Sequence, residues 1–323
     1  MKANENHAQM MASSFEACSK SAYHKSEILP ELLNLQAEMV KAAFPEMSNE
    51  ERASLRLWDI VDRLEAASAS KRGKGAAEIA EFKQSCKTIG NMIAAEISGK
   101  RGEEATFNRL EKAGFDGIVV RNIEATRDDY RTEIDGVVLT SKGAVVVEVK
   151  NTRKDVFIDE EGNAYRTGKF TRLDCNLLGK MQARQEFVAE TLAAAGYPDV
   201  EVSGIVVYTN DRIEIQNHCK SINVSFLSRL PHLVKSLPHG EAYSMEELEQ
   251  MAAALEEASS HELYPMDFDM YIFKQQFAVA ITSLDKSEPK RPVIISRLMN
   301  VFSKTRQASP AGNVREPQLP ASA

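Results

Sequence analysis

The chain has 323 residues, is 43% hydrophobic and 27% charged, and carries a formal net charge of −7. That balance supports one large or two medium globular domains and excludes a chain disordered throughout. The acidic sum excludes a protein that coats nucleic acid by bulk charge, although a local basic groove remains compatible with it.

The first hundred residues read as helical. Leu29 to Phe44 has helical apolar spacing and stops near Pro45. Ser48-Asn49-Glu50-Glu51 matches a capping box and predicts a helix carrying Leu55, Leu57, Trp58, Ile60, Val61 and Leu64. The polar stretch ASASKRGKG ends it, and a further helix is expected over 76–97. SGKRGEE at 98–104 is a second basic, glycine-containing break; helical spacing then resumes through Phe107, Leu110 and Ala113 and stops at Gly114.

Beyond Gly114 the texture changes. GIVVRNI, EIDGVVLT and GAVVVEVK are short β-branched runs that predict strands. Residues 174–195 return to a helix, and SGIVVYT is another strand. This order predicts an α/β core of about 130 residues starting near 100. From 236 to 273 the chain has neither Lys nor Arg, and SMEELEQMAAALEEA reads as a helix with acids in its first turn. The expected division is a helical N-terminal region over 1–98, the α/β domain over 99–237, an acidic helical region over 238–302 and a disordered tail over 303–323.

Cys18, Cys86, Cys175 and Cys219 lie far apart with no CxxC, which predicts reduced thiols rather than a zinc site or a disulfide framework. The six histidines show no metal-ligand spacing. The opening MKANENHAQMM, with Met10 and Met11, lacks the apolar core of a signal peptide, and no apolar run approaches the roughly 20 residues of a membrane span. A cytoplasmic protein without a membrane partner is expected.

The two strands around TSKG carry the chemistry. A tight turn at Ser141 and Lys142 pairs Thr140 with Gly143, Val138 with Val145, Asp135 with Glu148 and Glu133 with Lys150. Side chains alternate, so Glu133, Asp135 and Val137 share a face with Val146, Glu148 and Lys150, while Ile134, Val138, Val145, Val147 and Val149 form the apolar face. Two opposed carboxylates sit roughly 5 Å apart at Cβ and repel. A shared proton, a nearby cation such as Lys150, or a bound Mg²⁺ would each settle them. A solvated charged face, with Glu133–Lys150 as a plain ion pair, is the alternative reading of the same residues.

GEEATFNRL, then EIDGVVLTSKGAVVVEVKN, then a glutamine-containing helix together resemble the nuclease-related domain (NERD) family, within the PD-(D/E)XK, restriction-endonuclease-like group. The resemblance covers about residues 99–235. It implies a restriction-endonuclease-like α/β fold, a mixed sheet flanked by helices, here with a helical N-terminal region and a helical C-terminal extension. It implies a Mg²⁺- or Mn²⁺-dependent nuclease acting on nucleic acid, DNA ahead of RNA. Asp135, Glu148 and the carbonyl of Val149 would hold the metal, Lys150 would be the catalytic lysine, Glu103 the acid of the first core helix, and Gln182, preferred over Gln185, the helix glutamine. The segment DCNLLGKMQARQEF lacks the family's proline, and Thr152-Arg153-Lys154 lacks the expected glycine and aromatic residue. Lys142, Arg153, Lys154, Arg166, Lys169, Arg172 and Arg184 are cations available to a nucleic-acid backbone, and the N-terminal helices are available for a homo-oligomer or a protein partner. A non-cleaving nucleic-acid-binding or regulatory protein on the same scaffold is the competing expectation.

Overall fold

The computed structural model describes residues 22–23, 25–114, 116–127, 130–168, 171–237, 240, 242–260, 264–265 and 269–285. The tail over 303–323, Met10, Met11, Cys18 and Lys169 lie outside the described residues. After a two-residue strand, Ala22–Tyr23, come four helices: α1 (Lys25–Ala43), α2 (Asn49–Ala53), α3 (Leu57–Ser70) and α4 (Ala76–Lys112). A strand-rich stretch follows with β1 (Gly117–Arg127), β2 (Tyr130–Thr140), β3 (Gly143–Lys150), β4 (Val156–Ile158), β5 (Asn163–Arg166) and β6 (Arg172–Asn176). The order continues as α5 (Leu177–Ala194), β7 (Val202–Tyr208), β8 (Ile215–Asn217), β9 (Asn223–Phe226), α6 (Leu230–Ser236), α7 (Met245–Glu257) and α8 (Met270–Asp285). A helical N-terminal region, a central mixed sheet and a helical C-terminal extension match the α/β architecture expected from the sequence.

Among the described residues these elements divide into two compact units, one holding 22–23, 30–91 and the described residues over 265–285, the other holding 25–29 and the described residues over 92–264. The first unit is helical. Leu32, Met39, Ile60, Ile79 and Phe82 are fully buried, and the Phe82 ring lies 5.4 Å from both Phe273 and Phe277 of α8. Ser48 and Glu51 form the expected capping box, with the Glu51 carboxylate accepting from the Ser48 N–H at 2.7 Å. The single helix expected after Ser48 is instead two. The Asp59 carboxylate accepts from the Arg56 N–H at 2.6 Å and caps a new start, so the chain breaks between Ser54 and Arg56.

The break expected at 98–104 is absent, and α4 runs through it to Lys112. A helical glycine costs about 1 kcal/mol against alanine. At Gly102 the missing side chain has a use: a Cβ there would stand 3.0 Å from the Asn151 Cβ and 3.4 Å from a Val149 methyl. Composition marked this stretch as a break, but close packing keeps it helical.

The second unit is built on a five-stranded sheet in the order β9-β7-β3-β2-β1. β9 and β7 run parallel, as do β7 and β3; the β3–β2 and β2–β1 pairs are antiparallel. One face packs Val137, Leu139, Ala144, Val146 and Val206 against α5 and α7. The other packs Val138, Val145, Val147, Ile205 and Val207 against Phe107 and Leu110 of α4 and Leu230 and Val234 of α6. A second, four-stranded sheet in the order β6-β5-β4-β8 was not expected from the sequence, because strands of three to five residues are too short to display a period of two.

Candidate active site

The β2–β3 hairpin sets the site. The expected register holds from Thr140↔Gly143 through Val138↔Val145 to Gly136↔Val147. There the ladder ends, one pair short of Asp135 and Glu148. The β1–β2 ladder is interrupted at the same place: Arg121 pairs with Gly136 and Ile123 with Ile134, while Asn122 opposite Asp135 takes a left-handed φ of 55°. Asparagine tolerates that region better than any branched residue. One consequence corrects the simple alternation. Ile134, expected beside Val138, joins the core of Val137 and Leu139 instead, because the irregularity at Asn122 and Asp135 shifts the facing by one residue.

With the ladder released, the Asp135 side chain takes over a backbone bond. Its Oδ2 accepts from the Val149 N–H at 2.6 Å. Burial, the Glu148 charge beside it and a smaller contribution from Glu103 push the Asp135 carboxyl up to about 7, against the pull of the Val149 N–H and Arg184. Glu148 behaves in the opposite way. It is only 4% exposed, and burial alone would raise it, yet Lys150 and Arg184 together hold it below the usual carboxylate range. Lys150 Nζ lies 2.7 Å from Glu148 Oε1, and this partner keeps the amine charged despite burial. Lys150 thus pairs with Glu148 on its own strand, two residues back.

Glu103, on α4, lies near enough to Asp135 for its charge to be felt there. Gly102 lets the helix close onto the end of β3, and Asn151 fixes it there: its side-chain amide donates to the Ser98 carbonyl at 2.8 Å and its Oδ1 accepts from Thr209 at 2.9 Å. The two helix glutamines lie on different parts of α5. Gln182 is exposed, about 120° around the helix from the buried face of Leu177, Met181, Val188 and Leu192, and Gln185 donates to the Val202 carbonyl at 3.0 Å. The α5 residue that reaches the acid pair is Arg184. Its Nη1 bonds Glu148 Oε2, its Nε donates to Thr132 Oγ1 at 3.1 Å, and it is 7% exposed. Arg184 thus leaves the set of cations expected along a nucleic-acid backbone. Its signal in the sequence was positional: it falls on the helix's apolar face, where an arginine needs an acidic partner.

Of the other expected cations, Arg153, Lys154 and Arg166 are exposed, with Arg166 paired to Asp174. Lys142 is exposed too, but it sits in the hairpin turn, about 20 Å of strand away from Glu148.

A family model covers residues 98–209 of this chain. The match is to the nuclease-related domain, NERD. Glu103, Asp135, Glu148, Lys150 and Gln182 all fall within the matched segment. No curated protein matches the chain. Among solved structures, the small subunit of a heterodimeric restriction endonuclease aligns at 11% identity, over 56% of this chain and 88% of that one, with a TM-score of 0.20.

Carboxylate and carbonyl oxygens are the donors that the matched segment offers a cation. Among the described residues no group of three or more His, Cys, Asp or Glu is placed to hold a metal. Asp135 and Glu148 do crowd two carboxylates together, and oxygen donors with positions left for water and phosphate suit Mg²⁺ or Mn²⁺.

Proposed function

We propose that the NERD segment is a metal-dependent nuclease that hydrolyses phosphodiester bonds of nucleic acid, with DNA the preferred class. The observation that carries this reading is the crowded acid pair at the broken end of the β2–β3 ladder. A carboxylate desolvated beside a second carboxylate works against the fold, and a functional site is where such a cost is commonly retained.

Asp135, Glu148 and the carbonyl of Val149 are the groups that would hold Mg²⁺ or Mn²⁺. Once bound, such an ion polarises a phosphate and lowers the pKa of its water. Lys150, kept charged by Glu148, donates from Nζ toward the charge that develops on the phosphate. Glu103 adds negative charge on the α4 side and strengthens the hold on cations at Asp135. Gln182, on the exposed side of α5, contacts the nucleic-acid backbone rather than the acids.

One observation favours a second reading, a nucleic-acid-binding or regulatory module that does not cleave: both Glu148 oxygens already carry a cationic partner. Asp135→Ala and Lys150→Ala separate the two. Under the nuclease reading each abolishes Mg²⁺-dependent cleavage with the circular-dichroism spectrum unchanged. Under the second reading the wild type binds nucleic acid in chelator, with steep salt dependence, and never cuts it.

A further inference from the structure

We propose that Arg184 is a resident competitor for the divalent ion: its guanidinium holds a Glu148 oxygen that the ion needs, so the ion binds fully only when Arg184 lets go. This rests on the metal reading above and adds a residue that regulates occupancy of the same site.

Three features of the geometry carry it. First, Glu148 has no oxygen without a cation against it. Oε1 faces Lys150 Nζ at 2.7 Å and Oε2 bonds Arg184 Nη1. An approaching ion meets a guanidinium at one oxygen and an ammonium at the other. Second, Arg184 is built in rather than resting on the surface. It is 7% exposed, and the Thr132 hydroxyl accepts from its Nε at 3.1 Å. Thr132 lies on β2 and Glu148 on β3, so the guanidinium spans the gap that opens once the ladder ends at Gly136↔Val147. A planar fork with several fixed donors suits that span, whereas a lysine ammonium does not. Third, Arg184 offsets charge that an ion would otherwise meet. With Asp135 ionised, Asp135, Glu148, Lys150 and Arg184 sum to zero, and Glu103 on α4 leaves one net negative charge; without Arg184 there are two.

A simple structural ion pair would share the first two features, and metal affinity separates it from a competitor. The test uses the full chain, stripped of metal, and isothermal titration with MnCl₂ and MgCl₂ alone. Arg184→Gln removes the charge and keeps a polar side chain. A unit charge this close to a divalent ion alters affinity by about tenfold or more, so R184Q is expected to bind Mn²⁺ at least about tenfold tighter than wild type. In chelator R184Q melts below wild type, and saturating Mn²⁺ raises its Tm by more than it raises that of wild type. Should R184Q fail to fold, Thr132→Val removes only the hydroxyl that anchors Nε and is expected to tighten Mn²⁺ binding roughly two- to threefold, the direction expected when one anchoring hydrogen bond is lost. If wild type binds Mn²⁺ while R184Q and T132V bind it equally or more weakly, Arg184 is a structural partner and the proposal falls while the metal reading stands. If neither wild type nor variant binds either ion, the metal reading falls and takes the proposal with it.

Discussion

Asp135→Asn separates the electrostatic cost of the acid pair from its function. The substitution keeps the shape and leaves an oxygen to accept from the Val149 N–H, but it removes the charge that faces Glu148. In the native state the Asp135 carboxyl is raised from 3.8 to about 7, chiefly by burial and then by Glu148. A raised acid holds its proton more tightly folded than unfolded. Its contribution to stability is therefore full below about pH 4, falls as pH rises, and is gone above about pH 7. The step near 7 is that of Asp135, because two cations hold Glu148 ionised. At about 1.4 kcal/mol per pH unit, wild type loses about 2–3 kcal/mol between pH 5 and pH 8 that D135N does not lose. Native-state hydrogen exchange of the peptide spanning 143–150, in chelator and corrected for intrinsic exchange, reads this in the unit that holds the site. D135N should gain on wild type by that amount as pH rises. Parallel pH profiles for the two proteins, or a wild type that gains on D135N, would refute the account of the pair.

Two further predictions concern the packing that positions the site and the helical unit. In Gly136→Ala the new Cβ would stand 2.4 Å from the Phe107 ring, an overlap that should cost about 1–3 kcal/mol by urea denaturation, with Phe107→Leu in the same chain recovering part of it. Phe82→Ala removes the ring that packs on both Phe273 and Phe277 and should destabilise the helical unit by about 3–5 kcal/mol, followed by fluorescence of Trp58, the chain's one tryptophan. A loss under 1 kcal/mol in either case would contradict the packing described.

The hairpin was legible because a two-residue turn at Ser141 and Lys142 fixes every pair that follows it, from Thr140↔Gly143 to Gly136↔Val147. What happens at Asp135 was not legible. The left-handed Asn122 opposite it lies on another strand, and neither the shifted facing of Ile134 nor the release of the ladder follows from β2 alone. Composition misled at 98–104, where glycine marks close packing on Asn151 rather than a helix end. It also grouped Lys142 and Arg184 with the nucleic-acid cations, although one sits at the far end of the hairpin and the other is buried on Glu148. The apolar periodicity of α5 contained the warning about Arg184, since every other residue on its buried face is hydrophobic.

The most direct test of the central claim is a cleavage assay on purified full-length protein. Linear duplex, circular duplex and single-stranded DNA, and RNA, are each incubated with Mg²⁺, with Mn²⁺ and with chelator, beside the D135N and Lys150→Ala variants. The account predicts metal-dependent cleavage of at least one substrate by wild type, none in chelator, and none by either variant. Absence of cleavage of every substrate with either ion, or equal cleavage by D135N, would contradict it.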